Sequence, residues 1–325
     1  MSNELGNAES ASINLGYVCS ELYAKYLAVQ LVSVLENNSD VEFQVFVLID
    51  KMSDESQNRI NNILAHYSQK SAQFIPIDPE VIKSLGLPQF QSSFIPYYRF
   101  LFEGCLPKNV EKLLYLDVDS ICLNSLKPLW NISHEGNSLI SIRPKFLDEM
   151  CGQELEEYLK MYRITKKEQG FQSSTLLLDF KTMRGKGKTT SDMLEYMRGY
   201  QFDNHGGISD NEILIEYFLN DTKTLDYNWG AIIDKEFLLF DLDEKNLPPL
   251  LNLYGMLKPW TTLRSLPGVK QYYSYYDTAK RILGAQEVGF TPWTRLDYWR
   301  THRKWLAILP SRLYEWAYTS GRAAG

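Results

Sequence analysis

The sequence predicts an α/β protein built on a sheet with right-handed crossovers. Three observations predict it. Short apolar strands alternate with helical patterns through the first half of the chain. Phe43 to Ile49 (FQVFVLI) is an almost unbroken apolar run, as expected of a strand buried on both faces. Lys112 to Leu116 (KLLYL) is apolar and then stops at carboxylates, and in such sheets ligands sit at the carboxyl ends of strands.

Taken in order, Ile13 to Val18 reads as a strand and Lys25 to Glu36 as a helix, followed by the Phe43 to Ile49 strand. Ser53 is placed to cap the next helix, with Asp54 and Glu55 favouring the positive end of its dipole. Ile60, Ile63, Leu64 and Tyr67 then follow at the i, i+3, i+4, i+7 spacing of one helix face. Ala72 to Pro76 and Lys112 to Leu116 are further strands. Beyond about residue 130 the pattern mixes: Leu139 to Arg143 and Ser174 to Asp179 read as strands, Gln153 to Met161 and Ser209 to Phe218 as helices. Gly185 to Thr190 (GKGKTT) has the wrong spacing for a phosphate-binding P-loop and is expected to be a mobile loop. No internal repeat is visible.

Composition narrows the function classes. The chain has 325 residues, 44% hydrophobic and 23% charged, ordinary for a globular protein. A net charge of -6 argues against a general nucleic-acid binder. Cys19, Cys105, Cys122 and Cys151 are scattered with no Cys-x-x-Cys pair, which reads as buried reduced thiols rather than zinc ligands or disulfides. The polar start, Met1 to Ser12, lacks the basic and apolar stretches of a secretory signal, and no apolar run approaches the ~20 residues of a transmembrane helix. A cytoplasmic location is the expectation.

The chemical signal lies in Tyr115-Leu116-Asp117-Val118-Asp119. On extended backbone, positions i and i+2 point the same way, so the two carboxylates can converge on one cation. A hard divalent ion prefers oxygen ligands and leaves positions open for phosphate oxygens. Taken alone, two such aspartates are equally a polar strand terminus.

Other blocks extend the signal. Tyr97-Tyr98-Arg99-Phe100, the Lys112 to Asp119 segment and Leu126-Lys127-Pro128-Leu129 come first. Gly170 to Phe180 (GFQSSTLLLDF), Ser209 to Leu214 (SDNEIL), Asp226-Tyr227-Asn228 and Gly255-Met256-Leu257-Lys258-Pro259-Trp260 follow in order. Together they resemble family 8 glycosyltransferases, in particular those that build lipopolysaccharide cores with galactose or glucose. The resemblance spans roughly residues 13 to 262.

That resemblance implies a single Rossmann-like nucleotide-sugar transferase domain of GT-A type over residues 1–262. A mostly helical appendage would occupy 263–325. It implies that Asp117 and Asp119 hold Mn²⁺ (or Mg²⁺) against the diphosphate of a nucleotide sugar, UDP-galactose or UDP-glucose. Lys258 would contact the diphosphate, and Gly255 would belong to the donor-binding set. Arg99 would bind the donor sugar or the neighbouring carboxylate, and a purely structural salt bridge is the competing reading. Asp210 would meet the sugar hydroxyls, with Asn211 beneath the anomeric carbon. Ser209-Asp210-Asn211-Glu212 is also a capping box, so Glu212 has a structural reading. The acceptor would be an oligosaccharide or a lipid-linked glycan such as the lipopolysaccharide core.

The sequence departs from that family at telling positions. The histidine that is normally the third metal ligand is Asn252, and the aspartate and asparagine that commonly meet the uracil are Ser20 and Leu22. Tyr23 alone keeps the aromatic position. The family's Asn-Ser-Gly is Gln172-Ser173-Ser174, and its glutamine is Asn211. Two readings follow: an active enzyme with an altered donor pocket, or an inactive descendant that binds a glycan or a partner. Retention of Asp117, Asp119 and Lys258 favours the first.

Family 8 enzymes retain the donor's α configuration. A double displacement needs a carboxylate at the anomeric carbon, and Asn211 is a poor nucleophile, so same-face attack is expected. Asp179 and Glu212 remain outside candidates. A Ser-His-Asp hydrolase is excluded, since His66, His134, His205 and His302 accompany no Gly-x-Ser-x-Gly elbow. No Gly-x-Gly-x-x-Gly follows the first strand, which excludes a dinucleotide oxidoreductase.

The C-terminal composition stands apart. Tyr272, Tyr273, Tyr275 and Tyr276 crowd together, followed by Trp293, Trp299, Trp305 and Trp316. Residues 290–325 carry six basic side chains against two acidic ones, a local +4 within a negative chain. Basic residues and indoles together suit peripheral contact with the inner membrane. Packing onto the catalytic domain is the alternative.

Overall fold

The computed structural model describes residues 11–89, 93–200, 209–233, 242, 243, 245–253, 258–262 and 264–284. Ten strands run in chain order: β1 (Ala11–Cys19), β2 (Val41–Ile49), β3 (Gln73–Pro76), β4 (Lys112–Leu116), β5 (Ser120–Cys122), β6 (Leu139–Ile142), β7 (Gln172–Asp179), β8 (Thr222–Leu225), β9 (Ala231–Ile233) and β10 (Leu250–Leu253). Seven form the main sheet in the order β3-β2-β1-β4-β7-β6-β8, and β5-β10-β9 form a small second sheet.

The strands from β3 to β4 are parallel, while β7 runs antiparallel to both β4 and β6. The chain leaves β1 toward β2 and β3 on one side, then returns to place β4 on the other. The carboxyl ends of β1 and β4 therefore flank a topological switch point, the crevice where such sheets bind ligands. Register sets the neighbours there: Gly16 pairs with Tyr115, and Leu116 with Thr175.

Alternation divides the strand side chains between two apolar layers. On β1, Ile13, Leu15 and Tyr17 face one layer, joined by Leu114 and Leu116 of β4. Leu113 and Tyr115 face the other. Gly16 is required by close approach, because a Cβ there would lie 2.7 Å from Leu113 Cδ2 and 3.0 Å from Phe102 Cζ. The first layer is covered by the helices Ala24–Glu36, Asp54–His66 and Val269–Leu283. The second is covered by the Ile95–Leu101 3-10 turns and by Gly152–Met161, Thr190–Arg198 and Ser209–Tyr217.

Local signals act as read. The Ser53 side chain accepts from Ser56 N and caps its helix, and Ile60, Ile63 and Leu64 are its buried face. The Gly185 to Thr190 expectation is corrected. This segment is a fixed turn in which Lys186 pairs with Asp221, and Lys188 Nζ donates to Tyr217 O at 2.6 Å. Thr189 caps the helix that follows. The lysines that made the segment look solvated are its clamps. Cys19 and Cys122 are buried as expected, but Cys151 is exposed.

The expected boundary at 262/263 precedes the Val269–Leu283 helix. That helix packs on Ala24–Glu36 and Asp54–His66, and Tyr272, Tyr273, Tyr275 and Tyr276 are buried in the first layer. The Asn37 amide donates to Tyr275 Oη at 2.8 Å. Residues 285–325, with the basic, tryptophan-rich stretch, lie outside the described residues. Among the described residues, no helix is long and apolar enough to cross a membrane.

Candidate active site

β4 ends at Leu116, and the chain turns at once: Ser120 N and Oγ both bond to Asp117 O, at 3.1 and 2.7 Å. Asp117 N donates to Ser174 O at 2.9 Å, which fixes the turn to β7. The turn delivers Asp117 and Asp119 to the carboxyl end of the sheet with side chains 25% and 13% exposed, the low end of solvent contact.

Asp117 faces a cation. Arg99 Nη2 lies 3.3 Å from its Oδ1, and Arg99 Nη1 lies 3.5 Å from Asp210 Oδ2. The same guanidinium donates to Pro96 O at 2.9 Å and Ser173 O at 2.7 Å, and lies 4.9 Å from the Tyr115 ring centroid. Fully desolvated charges are costly unless paired and hydrogen-bonded, and every side of this guanidinium is provided for. Burial pushes the Asp117 carboxyl up to about 6, opposed by Arg99 and reinforced by Asp119.

Asp119 faces a second cation. Lys258 Nζ donates to its Oδ2, and Asn252 Nδ2 to its Oδ1 at 3.4 Å. Register explains the meeting, because β10 pairs antiparallel with β5 and sets Asn252 opposite Ser120. Burial alone would depress the Lys258 ammonium, but the adjacent Asp119 carboxylate outweighs it and holds it up. Just beyond, Trp260 stacks on Tyr26 with ring centroids 3.6 Å apart at 8°, and Tyr23 meets both rings edge-on. Such pairs add about 0.5–1.5 kcal/mol each beyond burial. They tie the loop after β1 to the Lys258 segment.

The sequence-singled residues thus meet at one place. Arg99, Asp117, Asp119, Asp210, Asn252 and Lys258 form a connected charged cluster, with Tyr23 linked to it through Trp260. Asn211 is set deeper. It is 1% exposed and donates to Phe171 O at 3.1 Å, which leaves its Oδ1 buried without a hydrogen-bond partner. Gly255 and His205 lie outside the described residues.

Two outside candidates are removed. Asp179 stands opposite Lys112, at the far end of β4 from Asp117, and caps a helix by accepting from Thr182 N and Oγ1. Four residues of strand, at ~3.3 Å each, separate it from the site. Glu212 is buried, with the Tyr200 hydroxyl 2.9 Å from its Oε1. The same hydroxyl lies 2.8 Å from Glu216 Oε2.

Sequence reasoning passed over Tyr115, whose hydroxyl donates to Asp117 Oδ1. The signal was available, since Tyr115 is two residues before Asp117 and so on the same strand face.

The donor set can be tested against a cation. Among the described residues no cluster of three or more His, Cys, Asp or Glu is placed to hold a metal. What the site offers is two carboxylates and an amide. That fits a hard ion such as Mg²⁺ or Mn²⁺, which is commonly held by one or two carboxylates and completes its shell with substrate phosphates. It does not fit a closed structural zinc site.

Comparison with known proteins gives the family and the fold. The family model described as Glycosyl transferase family 8 matches residues 14–262. A putative glycosyltransferase of Haemophilus influenzae is 30% identical over 43% of this chain and 41% of its own length. A lipopolysaccharide 1,2-glucosyltransferase of Escherichia coli is 22% identical, over 91% of this chain and 84% of that protein. A lipopolysaccharide 1,3-galactosyltransferase of Salmonella typhimurium is 21% identical over 83% and 79%. Among solved structures, the galactosyltransferase LgtC with donor and acceptor sugar analogues superposes with a TM-score of 0.69 at 20% identity. That match covers 82% of this chain and 96% of the other.

Proposed function

The chain belongs to glycosyltransferase family 8, and on that premise we propose that it transfers a hexose, galactose or glucose, from a UDP-linked donor to a lipopolysaccharide-type glycan. One observation carries the reading: Asp117, Asp119 and Lys258 converge at the switch point of the sheet, beside Arg99 and Asp210. The named lipopolysaccharide glucosyl- and galactosyltransferases among the relatives support the substrate class.

Each residue has a task in this reading. Asp117 and Asp119, with the Asn252 amide oxygen, would hold Mn²⁺ or Mg²⁺, which neutralises charge on the donor diphosphate. Lys258 turns from Asp119 to the diphosphate and stabilises the negative charge that grows there as the sugar leaves. Tyr23 offers a ring to the nucleobase. Arg99, occupied on every side, holds Asp117 and Asp210 in place, Asp210 is offered to the sugar hydroxyls, and Asn211 stands behind them. Family 8 enzymes retain configuration, and among the described residues no carboxylate besides those bound to Arg99 and Lys258 joins the cluster, so same-face attack is the reading rather than a double displacement. The leaving diphosphate takes the acceptor proton.

The test is a screen of nucleotide sugars for hydrolysis and transfer, with Mn²⁺ present and absent. Asp119→Ala is expected to lower transfer by roughly 10²–10³-fold in a protein that still folds, with a melting temperature lowered by the stranded Lys258. Near-normal turnover by the folded variant overturns the assignment. A second reading, an inactive glycan-binding descendant, rests on the departures from the family's residues at Asn252, Ser20 and Leu22. It predicts glycan binding with no turnover of any nucleotide sugar.

For the C-terminal stretch we propose peripheral attachment to the inner membrane, on sequence alone. Six basic residues, each worth about 1 kcal/mol near an anionic surface, are enough for reversible recruitment. The full chain should co-sediment with anionic but not neutral vesicles, less so in high salt. Replacing Arg300, Arg303 and Lys304 with Glu should abolish this. No binding to anionic vesicles at low salt makes the stretch a packing element.

A further inference from the structure

Asp117 has to present an oxygen outward while a guanidinium stands beside it. An arginine–carboxylate pair left to itself closes into a two-point fork that occupies both carboxylate oxygens. Here it does not close. Arg99 is spread over Pro96 O, Ser173 O, Asp210 Oδ2 and a single oxygen of Asp117. That same oxygen, Oδ1, receives the Tyr115 hydroxyl. The backbone of Asp117 is fixed on both sides, by Ser174 O and by Ser120. Only rotation of the carboxylate remains free, and Tyr115 stops it.

Tyr115 suits this task and little else. Its side chain is wholly buried, with the Phe102 ring centroid 6.0 Å from its own and the Arg99 guanidinium 4.9 Å from its ring centroid. We propose that Tyr115 is a positioning residue for cation and donor binding: by pinning Asp117 Oδ1 on the Arg99 side, it reserves Oδ2 as a single-oxygen ligand. This rests on the metal–diphosphate reading of the site and adds the device that keeps Arg99 from closing it.

Tyr115→Phe removes one O–H and keeps the ring. Calorimetric titration of Mn²⁺ into the full chain with saturating UDP is expected to show affinity about tenfold weaker, the scale of a lost hydrogen bond to a charged group. The melting temperature should stay near that of the unchanged protein. Phe102→Leu is the packing control: it should lower the melting temperature and leave Mn²⁺ affinity alone. Unchanged affinity in Tyr115→Phe overturns the proposal, as does an equal loss in Phe102→Leu. If the unaltered protein itself takes up no Mn²⁺ with UDP, the metal–diphosphate reading fails, and this inference falls with it.

Discussion

Single side chains decide how the charged cluster answers a ligand. Three carboxylates, Asp117, Asp119 and Asp210, face two cations, Arg99 and Lys258, so the cluster is nearly balanced before any ion arrives. A divalent cation that takes Asp119 must displace Lys258, and a diphosphate gives Lys258 somewhere to go. Metal and nucleotide should therefore bind cooperatively. Lys258→Met is expected to tighten Mn²⁺ binding without nucleotide and to erase the gain that UDP brings, both read by calorimetry. Asn252→His supplies an imidazole beside Asp119 and should raise Mn²⁺ affinity with UDP by about tenfold. Unaltered affinity in the histidine variant means position 252 does not reach the ion. The aspartates, Arg99 and Lys258 were legible in the sequence, because their spacing sits in recognisable blocks. Their partners were not, because the Lys258–Asp119 and Arg99–Asp210 pairs join residues far apart in the chain, and only strand register brings them together.

At the scale of elements, the loop after β1 is joined to the Asp54–His66 helix by one carboxylate. Glu21 accepts from Ser53 N at 2.8 Å, Ser53 Oγ at 2.9 Å and Ser56 Oγ at 2.8 Å. The Ser53 amide, then the serine hydroxyls, hold this carboxyl below its ordinary value of 4.5 despite slight burial. The unfolded chain then takes up the proton at a higher pH than the folded one. The contribution is whole above the unfolded value and drains away as pH falls through the folded one. Glu21→Gln should lower the urea midpoint at pH 7 and flatten its decline below pH 4.5, the ordinary carboxylate value. An unchanged acid slope would mean that Glu21 is not held. The cap itself was read from Ser53, Asp54 and Glu55. The carboxylate behind it was not, because Glu21 lies 32 positions away across a strand. The Gly185 to Thr190 segment shows the same lesson from the other side. Its composition reads as a loose loop, and Asp221 with Tyr217 O makes it a fixed one.

For the whole molecule, strand order and alternation account for two apolar layers and a ligand crevice between β1 and β4. The strands and the longer helices were legible from periodicity. The antiparallel insertion of β7 was not, since apolar content does not record strand direction. Nor did composition disclose that Val269–Leu283 belongs to the core: a cluster of tyrosines marks a surface appendage and a covering helix alike. Ending the chain at Thr262 should leave the Ala24–Glu36 helix uncovered and yield insoluble protein. Ending it at Gly284 should leave a folded, cooperatively melting one, and equal behaviour of the two truncations would remove the helix from the core. The arrangement also has a consequence during synthesis. The Ala24–Glu36 helix is covered by the Val269–Leu283 helix, more than 230 residues later, so an emerging chain carries that apolar face open until the later helix has been made.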